Sequence, residues 1–441
     1  MSSMWNFYYA AKLRRAYAIE EAHSKYGPVV RIGPNELSYN DPFLLKTIYG
    51  HGAGLKKTIF YDAGHFTQYD NLFSVRDPAR HSGRRVMVAK SFSQATLMGQ
   101  MPLIQDNIRR VFDFWSIKLI GKNETLDIFH WVHWIALDVI FQMCLGIDSG
   151  TLQTGQPHPK IRDLESFISA LAWMAICPPL RKYGIKVPWT LEAVRTIRAK
   201  EKSERTPVMN QLIEEIDLSI GRHLMDEEIV EEIISFFFAG SGTTANTTIF
   251  LIWSVLKDAE IHGKLKTEIR NAFPDPTQTP DLITVNNLPY TNAVIMETLR
   301  KYPSIPGTQP RFVGEKDFIA NGRKVPRGTI IGAQNFSLHR NPSVFEKPES
   351  FQPDRWLGPD ASVLNKAFNG FGTGPRSCIG RNLAYLELKS IVPAFFLRFN
   401  ARIDPNFPDS QMRLTDGFAG APVGESLPLI LEDRLKLPEK Q

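Results

Sequence analysis

The most constraining stretch of this chain is Phe371-Gly-Thr-Gly-Pro-Arg-Ser-Cys-Ile-Gly380, followed at once by an apolar, helix-forming segment from Asn382 to Phe395. It places one cysteine, Cys378, in a loop that glycine and proline keep tight, directly ahead of a helix. A thiolate so placed has the chemistry of an axial ligand to haem iron. It is a soft, electron-rich donor that pushes charge onto the metal and favours cleavage of a dioxygen O–O bond. Such a sulfur needs backbone N–H groups aimed at it, and the positive end of the following helix favours the anion. Gly374 and Gly380 are expected to allow the strained turn and close backbone approach that this requires. Arg376 is expected to reach a haem propionate, and Phe371 to cover the face of the sulfur.

The loop matches Phe-x-x-Gly-x-Arg-x-Cys-x-Gly at every fixed position and resembles the haem-binding signature of the cytochrome P450 family. Two further elements carry the resemblance, Glu297-Thr-Leu-Arg300 closed by Tyr302-Pro303, and Phe351-Gln-Pro-Asp-Arg-Trp356. It runs from Tyr26-Gly27-Pro28 to the segment near Phe418. It implies a mainly α fold with small β-sheets, an α-rich triangular prism enclosing haem b, with Cys378 as the metal ligand. It also implies a buried ion triad of Glu297, Arg300 and Arg355 behind the haem, serving folding and haem retention. The propionates would meet Arg376, His81, Arg85 and Arg311. His81 stands where relatives often carry tryptophan, and imidazole can donate the same hydrogen bond as an indole. The implied reaction inserts one oxygen atom of dioxygen into a small apolar organic substrate. Electrons would come from NADPH through NADPH–cytochrome P450 reductase or a similar acidic redox partner, since the chain carries no flavin or nicotinamide motif. The motif spelling is closest to fungal members that decorate secondary metabolites.

Composition narrows the setting. The net charge of +6 is modest and spread along the chain, which suits an acidic protein partner, and no nucleic-acid motif is present. Three cysteines, Cys144, Cys177 and Cys378, cannot all pair internally, which argues for a reducing compartment. The N-terminal apolar patch of Trp5, Phe7, Tyr8 and Tyr9 is interrupted by Lys12, Arg14 and Arg15, whereas a spanning helix needs about 20 apolar residues. The expectation is therefore an intracellular monomer without an evident anchor, either cytoplasmic or in peripheral contact with the cytosolic face of the endoplasmic reticulum. No linker, charge block or repeat divides the chain, so residues 1–441 read as one domain beginning with a helix through residue 25.

The remaining pattern is mostly helical. A helix from Trp5 to Tyr26 precedes a β-hairpin from Val29 to Tyr39 turning at Gly33-Pro34-Asn35. Helical patterns fill most of Asp77–Phe273, broken around Pro157-Pro159 and Pro178-Pro188, and a second β-rich patch spans Arg311–Ile331. The longest helix is expected to start with Asp226 as its N-cap and to reach Asp258, roughly 50 Å. Its middle is polar, Ser241 to Thr248, and so is expected to face a site.

Where the family resemblance implies an acid and a threonine that manage protons during oxygen activation, this chain has Gly242 and Thr243. Asn246, one turn from Gly242 on the same face, is expected to share proton delivery with Thr243 and ordered water. Gly240 and Gly242 each cost roughly 1 kcal/mol relative to alanine in mid-helix, so a close haem approach or a local kink is expected there. Gly242 keeps open a haem-thiolate isomerase, dehydratase or peroxygenase; a non-catalytic haem-binding or scaffold protein is the other alternative, which Thr243 argues against. His130 and His133 read as structural, because a closed metal site needs four ligands. Candidate pocket segments are Ile59–Phe73, Phe167–Val187, Phe236–Phe238, Ser304–Thr308 and Gly417–Val423. A basic face around the Cys378 loop, with Arg80, Arg84 and Lys90, is expected to receive the redox partner.

Overall fold

The computed structural model describes residues 3–119, 125–157, 159, 162, 188–314 and 317–436. Cys177 and the candidate pocket segment Phe167–Val187 lie outside the described residues.

Three acids, Asp226, Glu227 and Glu228, open the longest helix, Asp226–Leu256, where negative charge complements the helix dipole. Asp226 is not the N-cap. It lies inside the first turn, 2.7 Å from Arg198, while Glu228 Oε2 accepts the Met225 N–H at 2.9 Å. The helix stops at Leu256 because Asp258 is used otherwise, accepting the N–H groups of Glu260 and Ile261 to cap the helix Ala259–Ala272. Apart from Gly242 and Thr243 the polar middle is buried, and most of its hydroxyls bond back to the helix itself. Ser241, Thr243, Thr247 and Thr248 donate to the carbonyls of Phe237, Ala239, Thr243 and Thr244 at 2.7–3.0 Å.

The helix Phe129–Leu145, buried on nearly every side, packs along this central helix. An added Cβ at Gly240 would lie 3.2 Å from Ile140 Cγ1. Gly240 therefore serves close helix–helix approach, and the central helix runs unbroken through both glycines, in place of the expected kink.

The N-terminal stretch forms two helices, Ser3–Ala11 and Arg15–Tyr26, where one was expected. Leu13 takes the left-handed conformation (φ 53°) between them, and Asp416 caps the second helix from across the fold, with Oδ2 accepting the Ala16 N–H at 2.7 Å. The hairpin forms as expected, Val29–Gly33 with Glu36–Tyr39. It does not stand apart from the later β-patch, because Glu36–Tyr39 pairs in parallel with Ile330–Gly332. One five-stranded sheet results, completed by Arg311–Phe312 and Lys56–Lys57. A second sheet joins Leu126–Asp127, Pro428–Asp433 and Phe399–Ile403. Between these small sheets the body is helical, with a core running from Phe112 and Trp115 through the central helix to Phe395 and Phe399. Among the described residues no helix is long and apolar enough to cross a membrane.

Candidate active site

The Cys378 loop is built from the core outwards. Glu297 is fully buried and accepts from Arg300 through Nε and Nη2 at 2.8 Å each, Arg355 Nε at 3.2 Å, the Trp356 indole at 3.0 Å and the Gln352 N–H at 2.8 Å. The expected triad is thus brought together, and it continues further. Arg300 Nη1 donates to the His339 carbonyl, and His339 Nε2 accepts the Asn369 N–H at 3.0 Å. Thr373 Oγ1, within the loop, donates to Asn369 Oδ1 at 2.9 Å. Burial pushes the His339 pKa down to about 3, so its Nε2 stays a bare acceptor.

Within the loop, Gly372 and Gly374 hold φ of 73° and 77°, conformations that favour glycine. A Cβ on Gly374 would fall 2.0 Å from the Tyr49 carbonyl oxygen. Its close approach is therefore to Tyr49 and not to the sulfur. Gly380 has an ordinary φ of −81°, and what it offers is its N–H, which faces Cys378. The Cys378 N–H donates to the Phe371 carbonyl at 2.8 Å, closing the turn, and the helix Arg381–Arg398 starts immediately. Phe371 packs at a tilt against Tyr385, with ring centres 5.0 Å apart, beneath the Arg381 guanidinium.

Cys378 has accessible surface, although burial among its neighbours raises its thiol pKa. The Gly380 N–H, Arg85 and Arg381 pull the other way, towards thiolate. Cys144, by contrast, is buried with its pKa raised and has no such partners. On the central helix Ala239 is exposed and Gly242 and Thr243 are half-exposed, although the flanking turns are buried, so this face also lines open space. Only that part of the polar middle faces a site.

Among the described residues, a group of cations hydrogen-bonds to neutral groups and forms no ion pair, although Asp77 acts on Arg376. Arg376 donates to the carbonyls of Val75, Arg76 and Asp77, Arg311 to the Tyr61 hydroxyl and the Pro310 carbonyl, and Arg85 to the Ser377 carbonyl. Burial and the neighbouring Arg311 push Arg376 down to about 10. Burial, then Arg376, Lys57 and Arg85, push His81 down to about 3. Lys57, buried against the Tyr61 and Phe73 rings with Nζ donating to the Phe73 carbonyl, is also pushed well down, by burial and then by Arg376 and Arg311. Such a cluster calls for an anion. Haem propionates together with a cysteine-bound iron fit the cluster and the loop; Lys57 and Tyr61 were not among the expected residues.

Other expectations change. Arg84 is 4% exposed and paired with Asp217 (2.8 Å) and Glu232 (2.6 Å), so it is no docking cation; Arg80 is exposed but paired with Asp70 at 2.6 Å, and Lys90 is exposed. Glu231 accepts from the Phe66 and Thr67 N–H groups and from Asn71 Nδ2 (3.0, 2.6 and 2.6 Å), pinning the aromatic segment to the central helix. Of Phe236–Phe238, Phe236 packs on Phe92 and Phe237 on Phe141. Phe238 meets Phe66 and Phe418, and Phe418 also meets Phe60 and Phe73. Phe418 holds a positive φ of 79°, unusual for an aromatic residue. Ser304, from another candidate segment, hydrogen-bonds Thr247 at 3.1 Å. Among the described residues no cluster of three metal-ligating side chains occurs.

A helical body with a thiol-bearing loop and a cationic cluster defines the haem-thiolate class. Residues 2–427 match the cytochrome P450 family model. The chain is 30% identical to cytochrome P450 monooxygenase stcB of Emericella nidulans, over 92% of this chain and 82% of that protein. It is likewise 30% identical to cytochrome P450 monooxygenase aflV of Aspergillus parasiticus (92% and 84%), and 28% identical to averantin hydroxylase of Dothistroma septosporum (87% and 75%). The chain belongs to the cytochrome P450 family. It is a haem b-dependent monooxygenase acting on an organic substrate, with electrons supplied by a redox partner.

Proposed function

We propose that Cys378, as thiolate, is the protein ligand of the haem iron, with Gly380 N–H and Arg85 favouring the anion, Gly374 shaping the loop and Phe371 shielding it. Arg376, Arg311, His81 and Lys57 are the propionate partners, and Arg85 braces the loop at Ser377. When bound, haem supplies dioxygen activation: two electrons and two protons give one oxygen atom to the substrate and one to water. Thr243 Oγ1 and the Asn246 amide then order the water that carries those protons. The rings of Phe60, Phe66, Phe73, Phe238 and Phe418 form an apolar wall that excludes bulk water and suits an apolar or aromatic substrate. The relatives and the motif spelling support a place in secondary-metabolite biosynthesis. NADPH–cytochrome P450 reductase is the proposed electron donor, to a single-domain monomer in the cytoplasm or in peripheral contact with the endoplasmic reticulum.

The observation that carries this reading is the accessible thiol of Cys378 in its donor-lined loop. The test is the ferrous carbonyl spectrum. Wild type should show a strongly red-shifted Soret band, Cys378→Ser should lose it, and Cys144→Ser should keep it; a normal band in Cys378→Ser would end the reading. Gly242 favours a second reading, turnover without reductase-driven oxygen activation. Product formed with peroxide alone, or with no NADPH and dioxygen consumed, would select it.

A further inference from the structure

The segment after Gly64 is fastened to the central helix by a carboxylate. Glu231 is fully buried, and three donors of that segment converge on it. The Phe66 N–H and Asn71 Nδ2 meet Oε1 at 3.0 and 2.6 Å, and the Thr67 N–H meets Oε2 at 2.6 Å. Among the described residues Glu231 forms no ion pair, whereas the adjacent Glu232 takes Arg84. Burial raises the Glu231 pKa, and the same donors pull it back. A carboxylate accepts at both oxygens and a carboxamide at only one, so the segment is shaped to receive an acid here and not its amide.

The fastening reaches two rings. Phe66, whose N–H is held by Glu231, packs its ring on Phe238 at 5.7 Å, seven residues further along the same helix. Residues so spaced share a helix face about 10 Å apart, so Phe66 is anchored by its backbone and by its ring to one stripe of the central helix. Asn71 carries the constraint on. Its Nδ2 also donates to the Gly64 carbonyl at 2.7 Å, and its Oδ1 accepts the Phe73 and Ser74 N–H groups at 2.9 and 2.8 Å. Phe73 meets Phe418 at 5.5 Å, and its ring lies so close to Gly64 that an added Cβ there would fall 2.5 Å from it. Residues 64–74 are thus braced as one piece, with Glu231 as its footing.

We infer that Glu231 is a positioning residue for substrate selection: its carboxylate fixes where Phe66 and Phe73 stand in the ring wall, and so how well the site holds a ring-bearing ligand. This rests on the proposed wall of Phe60, Phe66, Phe73, Phe238 and Phe418. In Glu231→Gln the NH2 group must face the Thr67 N–H on one side or the Phe66 N–H on the other. A donor set against a buried donor pushes the segment off the helix, and the wall loosens at Phe66 first.

Imidazole and 4-phenylimidazole test this without a known substrate. Both bind haem iron through nitrogen and shift the Soret band, and they differ by one phenyl ring. The ratio of their dissociation constants, imidazole over 4-phenylimidazole, should fall at least fivefold in Glu231→Gln, with haem content and the carbonyl spectrum unchanged. Glu231→Asp keeps both acceptors but draws them back by one methylene, and should lower the ratio at least twofold if Glu231→Gln does not fold. An unmoved or raised ratio in whichever variant folds overturns the inference. Glu232→Gln, equally buried but paired with Arg84, should lower thermal stability and leave the ratio within twofold of wild type. A fall there equal to that of Glu231→Gln would trace the effect to lost buried charge and also overturn it. Phe66→Ala separates the inference from the wall. If it lowers the ratio while Glu231→Gln matches wild type, the inference fails and the wall stands. If it leaves the ratio unmoved, the wall itself is wrong and the inference falls with it.

Discussion

Removing the Glu297 carboxylate should cost the protein most of its stability. In Glu297→Ala, two guanidinium groups, one fully buried and one 8% exposed, lose the carboxylate they share, and the Trp356 indole and Gln352 N–H lose their acceptor. Breaking a buried pair costs about 3–5 kcal/mol, and each orphaned buried donor adds about 1–3. Arg300 keeps the carbonyls of His339 and Ser350, which offsets part of this. A net loss of about 5 kcal/mol is expected, against a total of about 5–15 for a folded protein. Glu297→Gln keeps the shape and one acceptor, and should lose roughly half as much. Urea titration followed by the Soret band measures both. Because Arg300, His339, Asn369 and Thr373 link the triad to the Cys378 loop, haem release should coincide with unfolding of the variant. A Glu297→Ala protein within about 1 kcal/mol of wild type would refute this account of the triad.

Glu387, fully buried, bonded by the Thr244 hydroxyl and with Oε1 unpartnered, has its pKa pushed up to about 8, by burial first. A raised carboxyl pKa means stability present below the unfolded value near 4.5 and lost as pH rises through 8; Glu387→Gln should therefore gain on wild type by several kcal/mol between pH 5 and 8, and parallel stability curves would refute it. Lys57→Met should lower haem retention against apomyoglobin several-fold without loss of fold by circular dichroism, since its charge answers no carboxylate. Reversing charge at exposed Lys90 should slow reduction by the reductase and flatten its salt dependence, leaving the carbonyl spectrum intact; an unchanged rate would place docking elsewhere.

The thiol loop was legible because its residue types are dictated by chemistry, and Glu297 and Arg300 because a helix places residues three apart together. Arg84 shows the limit. It shares a helix with Arg80, but it turns inward because its partners, Asp217 and Glu232, lie 133 and 148 positions away. Lys57 sits in a two-residue strand with no periodicity to reveal its burial. Glu387 sits in a helix like any surface carboxylate, and only the neighbouring Thr244 hydroxyl marks it as internal. Gly240 was legible as a feature but not in its cause, since Ile140 reaches it only through the tertiary fold.

The cap that Asp416 places on Ala16 ties two segments 400 residues apart. Tyr17 repeats the link through the Leu414 carbonyl at 2.8 Å, and Gln334 Nε2 donates to the Ala16 carbonyl at 2.9 Å. Closing a loop of 400 residues is slow compared with helix formation, so the helix Arg15–Tyr26 waits unfinished for residues made 400 positions later. A nascent chain halted before residue 416 keeps its early hydrophobic face without its final cover, and that interval is when a chaperone has most to bind.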